Sequence, residues 1–272
     1  MEPLELLFEQ PGLHTFDLPD ELGRLYGGGL GLATPCLFAN FVSTVDGVVA
    51  FPRLERSSTI IAAGSEGDRF VMGLLRACAH AVLLGSSTLR ASPTSLWRAA
   101  GPFPGAADAY AELRRRLGHD TDPVVAIVTG GANLPMEHPR LEDGALVLTT
   151  ETAASKLRAR LPGASEIIPV CGGDRVDPGS AVQELRSRGL DLILSESGPT
   201  FFGSLLDAGL VDELFLTISP LLGGRSHDGQ PLSLIEGVDL LPTKRVGATV
   251  LSARRQGSHL FLRYGVQEAA VT

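Results

Sequence analysis

Short apolar runs alternate with segments of helical spacing through the middle of this chain, and that alternation restricts its fold more than any other feature. Ala81-Val82-Leu83-Leu84-Gly85 carries no polar side chain. A strand without a polar face is one covered on both faces, as in a parallel sheet flanked by helices. Residues 37–43, 124–128, 145–149, 166–170 and 190–194 are similarly short and rich in apolar or β-branched side chains. Between them, residues 66–79 place Phe70, Val71, Leu74, Leu75 and Cys78 at helical spacing. Ser65 is the expected N-cap, with Glu66 and Asp68 in a first turn where negative charge is favoured. Residues 107–118, 151–161, 180–188 and 200–208 read as further helices. Strands and helices in alternation predict parallel βαβ units and a sheet covered by helices.

The tail breaks the pattern. Residues 211–220, 246–254 and 259–266 are strand-like, and Gln256-Gly257-Ser258 between the last two is a hairpin signal. The fold expected is therefore α/β, with a mostly parallel sheet finished by an antiparallel C-terminal hairpin. Residues 1–34 are punctuated by Pro3, Pro11, Pro19 and Gly27-Gly28-Gly29, and read as an N-terminal arm of low order. Residues 35–268 read as one domain. Residues 91–106 form a loop long enough to be a lid or a flexible insertion.

Charge narrows the function. The 272 residues carry 23 Lys+Arg against 31 Asp+Glu, a net −8. That balance repels phosphate backbones, so no nucleic-acid partner is expected. The three cysteines are scattered without a C-x-x-C, which predicts neither a disulfide framework nor a metal site. No run of about 18 apolar residues occurs, so no membrane span is expected. The first residues, MEPLELLFEQPG, lack the basic and apolar regions of a signal peptide, and a cytoplasmic protein is expected.

Three Gly- or Ser-rich turns follow strands: Gly85-Ser86-Ser87-Thr88, Ser195-Glu196-Ser197-Gly198-Pro199-Thr200, and Gly223-Gly224. In an open α/β sheet, ligands bind outside the carboxyl ends of the strands. Small residues there let backbone N–H groups approach a phosphate, although such turns are also ordinary connections. Neither G-x-G-x-x-G, G-x-x-x-x-G-K-[ST] nor G-x-S-x-G occurs. Glu196 follows an apolar strand and precedes a helix start, which aims its carboxylate at the ligand crevice; a plain dipole-complementing role is the alternative. Asp68 and Arg76 lie about two helical turns apart and share a face. Asp46-Gly47 reads as a structural turn.

The chain resembles the C-terminal reductase domain of the riboflavin-biosynthesis deaminase–reductase (RibD type), in the stand-alone form found in actinobacteria, within the dihydrofolate-reductase-like superfamily. The segments that carry the likeness are Ala39-Asn40-Phe41-Val42-Ser43-Thr44-Val45-Asp46-Gly47, Gly67-Asp68-Arg69-Phe70 with Leu74-Leu75-Arg76, the strand ending at Gly85 with Thr88, Ser195-Glu196-Ser197-Gly198-Pro199-Thr200, and Val211-Asp212-Glu213-Leu214 running to Ser219-Pro220 and Gly223-Gly224. They span about residues 36–266. The family's second turn glycine is here Ser87, its E-G-G-P is Glu196-Ser197-Gly198-Pro199, and Ala91-Ser92-Pro93 replaces an acidic stretch. The H-x-E…P-C-x-x-C pattern of the deaminase half does not occur.

This resemblance implies a three-layer αβα sandwich, a homodimer, NADPH as cofactor, and reduction of a 5-amino-6-ribosylaminouracil phosphate to its ribityl form. It places Ser43, Gly85, Thr88, Thr129, Ser197, Gly198, Pro199, Thr200 and Gly203 toward NADPH. Arg76 and Glu196 would hold substrate, and Asp68 and Glu196 would serve catalysis. Glu196→Ala is expected to cut turnover while leaving the fold intact. A pterin such as dihydrofolate is the second substrate class implied, through Asp68. A non-catalytic dinucleotide-binding protein is the third reading, through Ser87, Ser92 and Ser197.

Overall fold

The computed structural model describes residues 1–52, 54–225 and 231–268. The first part of the chain runs β1 (Glu5–Glu9), α1 (Asp20–Tyr26), β2 (Cys36–Ser43), β3 (Val48–Ala50), α2 (Ser57–Ile61), α3 (Glu66–Cys78), β4 (Ala81–Gly85), α4 (Ser86–Ala91) and α5 (Ala107–Arg116). It continues through β5 (Val124–Thr129), α6 (Pro139–Asp143), β6 (Leu146–Thr150), α7 (Glu151–Leu157), β7 (Glu166–Cys171), α8 (Pro178–Ser187), β8 (Leu192–Ser195) and α9 (Pro199–Asp207). It closes with β9 (Glu213–Ile218), β10 (Leu232–Ser233), β11 (Val246–Gln256) and β12 (His259–Glu268).

The expected sheet forms. Its order is β1-β11-β12-β9-β2-β8-β4-β5-β6-β7, and β10 pairs with β3 in a small second sheet. From β9 to β7 every pairing is parallel, whereas β12, β11 and β1 add antiparallel strands at one edge. The hairpin turns at Gly257, whose φ of 57° favours a residue without a side chain. The chain runs outward from β4 to β7, then returns to insert β8 between β2 and β4. That reversal of strand order opens a crevice at the carboxyl ends of β2, β8 and β4.

Both faces of the parallel strands are buried, as their unbroken apolar runs require. In β4, Val82 and Leu84 join one core cluster and Leu83 the other. In β2, Phe38 faces the first core while Leu37 and Ala39 face the second. Phe70, Leu74, Tyr110 and Leu113 of α3 and α5 cover one side, and Val182, Leu185, Phe202 and Leu205 of α8 and α9 cover the other. These make the three layers. Full burial of one such apolar side chain contributes about 1.5–3 kcal/mol.

The low order expected of residues 1–34 is corrected. Strand β1 pairs with β11, and Leu4, Leu22, Leu25, Tyr26, Leu30 and Leu32 sit in the first core. Two buried arginines fasten this segment. Arg254 donates to the Tyr26 carbonyl at 2.8 Å and to Glu9 Oε2 at 2.6 Å, with its guanidinium 3.9 Å from the Tyr26 ring centroid. Arg263 reaches the Gly31 carbonyl at 2.7 Å while pairing with Glu213.

The loop at 91–106 is likewise a fixed wall. His138 Nδ1 accepts the Arg140 N–H at 3.1 Å, so its Nε2 carries the proton and donates to the Ser92 carbonyl at 2.9 Å. Arg140 holds the Leu96 carbonyl at 3.0 Å, and Trp97 is 3% exposed.

Candidate active site

A cleft of about 810 Å³ opens at the crevice the strand order creates. Its floor is the end of β2, with Asn40, Phe41 and Val42. Helix α3 contributes Asp68, Arg69, Met72 and Arg76, the start of α4 contributes Thr88, and the turn after β8 contributes Glu196, Ser197, Gly198 and Pro199. The wall at 92–102 closes one side.

Helix α3 sets the polar groups in place. Ser65 caps it as expected, its hydroxyl accepting the Asp68 N–H at 3.1 Å. The tip of the β11–β12 hairpin adds a second cap, Gln256 Oε1 accepting the Gly67 N–H at 3.1 Å. A side chain at Gly67 would stand 2.7 Å from that oxygen and 2.7 Å from Phe261. At the other end, Arg114 donates to the carbonyls of Ala77 and Ala79 at 3.2 and 2.8 Å, filling acceptors a helix terminus leaves open.

Asp68 and Arg76 face the cleft together, as their spacing predicts. Asp68 is 4% exposed, and burial pushes its carboxyl up to about 6. The Thr217 hydroxyl and His259 pull it down, and the Glu196 charge pushes it further up. Arg76 and Glu196, both expected to hold substrate, are paired with each other. Nε and Nη2 of Arg76 donate to the two carboxylate oxygens at 2.7 and 2.6 Å. The third nitrogen lies 3.4 Å from the Arg98 carbonyl. The pair is a fork-to-fork contact that fixes the orientation of Glu196 in the cleft wall.

The other expected residues separate into two groups. Thr88, Ser197, Gly198 and Pro199 line the cleft. A Cβ on Gly198 would stand 3.5 Å from Ser87 Oγ and 3.9 Å from Thr88 Oγ1, so the two small-residue turns face each other. Gly198 caps α9 without a side-chain bond, leaving the first-turn N–H groups open beside these hydroxyls. Ser43, Gly85, Thr129, Thr200 and Gly203 are outside the cleft lining. Ser43 is buried, and its carbonyl accepts the Ser219 N–H at 2.8 Å. Gly85 caps α4, and the Thr129 hydroxyl donates to the Gly131 carbonyl at 2.8 Å. Thr200 lies in the first turn of α9. Gly203 has no room for a side chain, because a Cβ there would meet the Glu236 carbonyl at 2.7 Å.

The Gly223-Gly224 turn has its own anion. Asp46 accepts the N–H groups of Gly223 and Gly224 at 2.8 and 2.7 Å and the Thr44 hydroxyl at 2.6 Å. The Thr44 bond and these two amides hold the Asp46 carboxyl down at about 2. Asp46-Gly47 is thus the structural turn expected, and it also ties the 221–224 segment to β2.

Sequence reasoning missed Asn40, Arg56, Arg69 and Arg98, all of which line the cleft. Asn40 had a local signal, being the one polar residue inside the apolar run at 37–42, and it alone interrupts the burial of β2. The three arginines carried none: Arg56 and Arg69 each follow an acidic residue, as solvated surface arginines do, and Arg98 lies within the 91–106 loop.

A doubly covered, mostly parallel sheet with a polar cleft at its strand reversal defines an α/β enzyme scaffold of the ligand-crevice kind. Comparison with known proteins makes this specific. The RibD C-terminal domain family matches residues 35–250, and the chain belongs to that family. Among curated relatives is the 2,5-diamino-6-ribosylamino-4(3H)-pyrimidinone 5′-phosphate reductase of Methanothermobacter thermautotrophicus, 30% identical over 209 residues, covering 75% of this chain and 86% of the relative. The enzyme of the same name from Archaeoglobus fulgidus is 25% identical over 194 residues, covering 70% of this chain and 83% of the relative. The chain is an oxidoreductase of the pyrimidine-reductase type. The fold is shared with a pyrimidine reductase-like protein of Corynebacterium diphtheriae, at TM-score 0.62 and 20% identity over 86% of this chain and 93% of that one. It is also shared with a riboflavin biosynthesis reductase of Saccharomyces cerevisiae, at TM-score 0.58 and 13% identity over 92% and 95%.

Proposed function

We propose that the protein reduces a ribosylamino-pyrimidine 5′-phosphate to its ribityl form with NADPH. The observation that carries this reading is the convergence of Asp68 and the Arg76–Glu196 pair on one cleft, beside the open first turn of α9. The relatives named for that reaction support the substrate class.

A ribosylamine opens to an imine, and reduction of that imine adds one hydride to the sugar carbon and one proton to the nitrogen. The nicotinamide supplies the hydride when the dinucleotide is bound. The residues present fit it: Gly198 leaves the space a Cβ would fill between Ser87, Thr88 and the start of α9. There the Ser87 and Thr88 hydroxyls and the α9 N–H groups would hold the phosphates. Glu196, its direction fixed by Arg76, has acceptor capacity left for sugar or ring N–H and O–H groups. Asp68, shifted to about 6, is positioned to give up the proton. The apolar floor, with Phe41 and Val42, and the wall at 92–102 exclude water from the reacting carbon.

The same reading includes a homodimer in the cytoplasm. Leu6, Leu7 and Phe8 on the edge strand β1 are 44, 50 and 48% exposed, an apolar strip that a second copy would cover. All three cysteines are free, in keeping with a reducing compartment. No helix among the described residues is long and apolar enough to cross a membrane.

The test is to follow NADPH oxidation at saturating ribosylamino-pyrimidine phosphate, with NADH and dihydrofolate as comparisons. Saturable turnover with NADPH and the pyrimidine is expected. Turnover of dihydrofolate alone would move the assignment to pterins, and no oxidation with either acceptor would remove it.

A further inference from the structure

The tip of the β11–β12 hairpin grips the start of α3 at three places. Gln256 Oε1 accepts the Gly67 N–H at 3.1 Å, while its amide nitrogen donates to the Glu2 carbonyl. His259 Nε2 lies 3.0 Å from the Ala62 carbonyl. A carbonyl can only accept, so this nitrogen carries the ring proton. Phe261 and Leu4 press on Gly67 so closely that a Cβ there would stand 2.7 and 3.1 Å from them. None of these residues lines the cleft. Glu2, Leu4, Gln256, His259 and Phe261 also lie outside the family-matched span of 35–250.

What they grip is the turn that presents Asp68. Ala63 and Gly64 have φ of 50° and 73°, both in the left-handed region. An alanine persists there only where its surroundings over-determine it. The Ala62 carbonyl accepts the Ser65 N–H at 3.0 Å as well as the His259 N–H, and Ser65 in turn caps the Asp68 N–H. The same hairpin sets the group beneath the carboxyl. Thr217 pairs with Phe261 across β9 and β12, is 2% exposed, and its hydroxyl favours the charged form of Asp68. The backbone of Asp68 and the hydroxyl beside its carboxyl are thus both placed from β12.

Resting on the proposed reaction, we propose that Gln256 and His259 are positioning residues for the reduction: from the hairpin tip they hold the 62–67 turn in the conformation that delivers the Asp68 carboxyl to the cleft. A displacement of about 1 Å at a reacting group costs about 100-fold in rate, so a turn gripped from outside the cleft acts on turnover without touching substrate. The groups that set the charge of Asp68 come from separate elements: Thr217 on β9, His259 on β12, Glu196 after β8 and Arg69 on α3 itself. Gln256 is neutral, so its removal alters the titration of Asp68 only by letting the carboxyl move relative to those groups.

The test compares variants of the whole protein by kcat, KM, melting temperature and the Asp68 carboxyl titration followed by NMR, which needs no turnover. Gln256→Ala and His259→Ala are each expected to lower kcat about 10-fold or more, with KM for the pyrimidine phosphate within about 3-fold of the parent. Both should also change the Asp68 titration. His259→Gln, whose amide can still donate to the Ala62 carbonyl, is expected to recover most of the kcat, while loss of the positive charge moves the titration to higher pH. Ser258→Ala, exposed at the same tip, should match the parent in all four. A lower melting temperature in Gln256→Ala and His259→Ala, with kcat and the titration unmoved, would make the hairpin a purely structural clasp and overturn the proposal. A rise in KM with kcat unchanged would overturn it too. A titration altered by Gln256→Ala, in a parent protein that oxidises no NADPH with the pyrimidine, would leave the hold on Asp68 standing and remove the proposed reaction instead.

Discussion

The Arg76 guanidinium meets the Glu196 carboxylate edge to edge, at 2.7 and 2.6 Å, across 120 residues of sequence. Their side chains are only 6 and 10% exposed. Each is therefore the other's main counter-charge, and neither can be altered alone without consequence for both.

Glu196→Ala would leave a buried guanidinium without its partner, at a cost of about 3–5 kcal/mol. The expectation that this change spares the fold is replaced by one in which turnover and melting temperature fall together. The Arg76→Met/Glu196→Leu double variant should recover much of the stability and none of the turnover. Thermal melts beside turnover measurements check this, and an unchanged melting temperature in Glu196→Ala would mean the pair is not a structural unit.

Asp68 holds its proton up to about pH 6 in the folded protein, against about 4 in an unfolded chain. Between those values the folded state binds the proton that the unfolded state has released. Stability therefore falls as pH rises from about 4 to 6 and stays lower above, by about 3 kcal/mol at most. Asp68→Asn should raise the melting temperature at pH 7.5 more than at pH 4, and cut turnover about 100-fold or more. Parallel stability curves for the variant and the parent would contradict the burial argument.

A histidine pair acts in the opposite direction. His80 and His119 pack with ring centroids 4.6 Å apart, and His80 Nδ1 accepts the Asp191 N–H at 3.1 Å. Burial lowers the pKa of both, and their mutual charge lowers that of His119 further. Their contribution is present above the unfolded value of about 6.5 and is lost as pH falls below it. His119→Asn should flatten the loss of stability between about pH 6.5 and 5, read from urea midpoints across that range. An unaltered slope would clear the pair of any role in acid sensitivity.

Removal of residues 1–34 should prevent folding. It takes away the Glu9 carboxylate and the Tyr26 and Gly31 carbonyls from Arg254 and Arg263, which are 1 and 4% exposed, and it uncovers the first core. Glu9→Gln, which keeps an acceptor in place, should lower the melting temperature and still fold. A truncated chain with a cooperative melt would show that the domain begins at residue 35.

By itself, the sequence determined the features whose cause is local. Unbroken apolar runs made β4 and β5 doubly covered strands, Ser65 capped α3, Gly257 turned the last hairpin, and the spacing of Asp68 and Arg76 put both on one face. Strand β1 escaped notice because it contributes backbone rather than side chains: Leu6, Leu7 and Phe8 point to solvent while the strand is held by β11. The short α4 was hidden in the Ser86-Ser87-Thr88 turn, since a strand that ends in small polar residues reads the same whether a loop or a helix follows. Only the tertiary structure decided that Glu196 belongs to Arg76, that Arg254 is buried by a segment more than 200 residues away, and that Asp68 titrates near 6. Those outcomes depend on which charges are brought together and how much water is removed from them. Both follow from how strands and helices pack, and neither is written in the spacing of residues along one strand or helix.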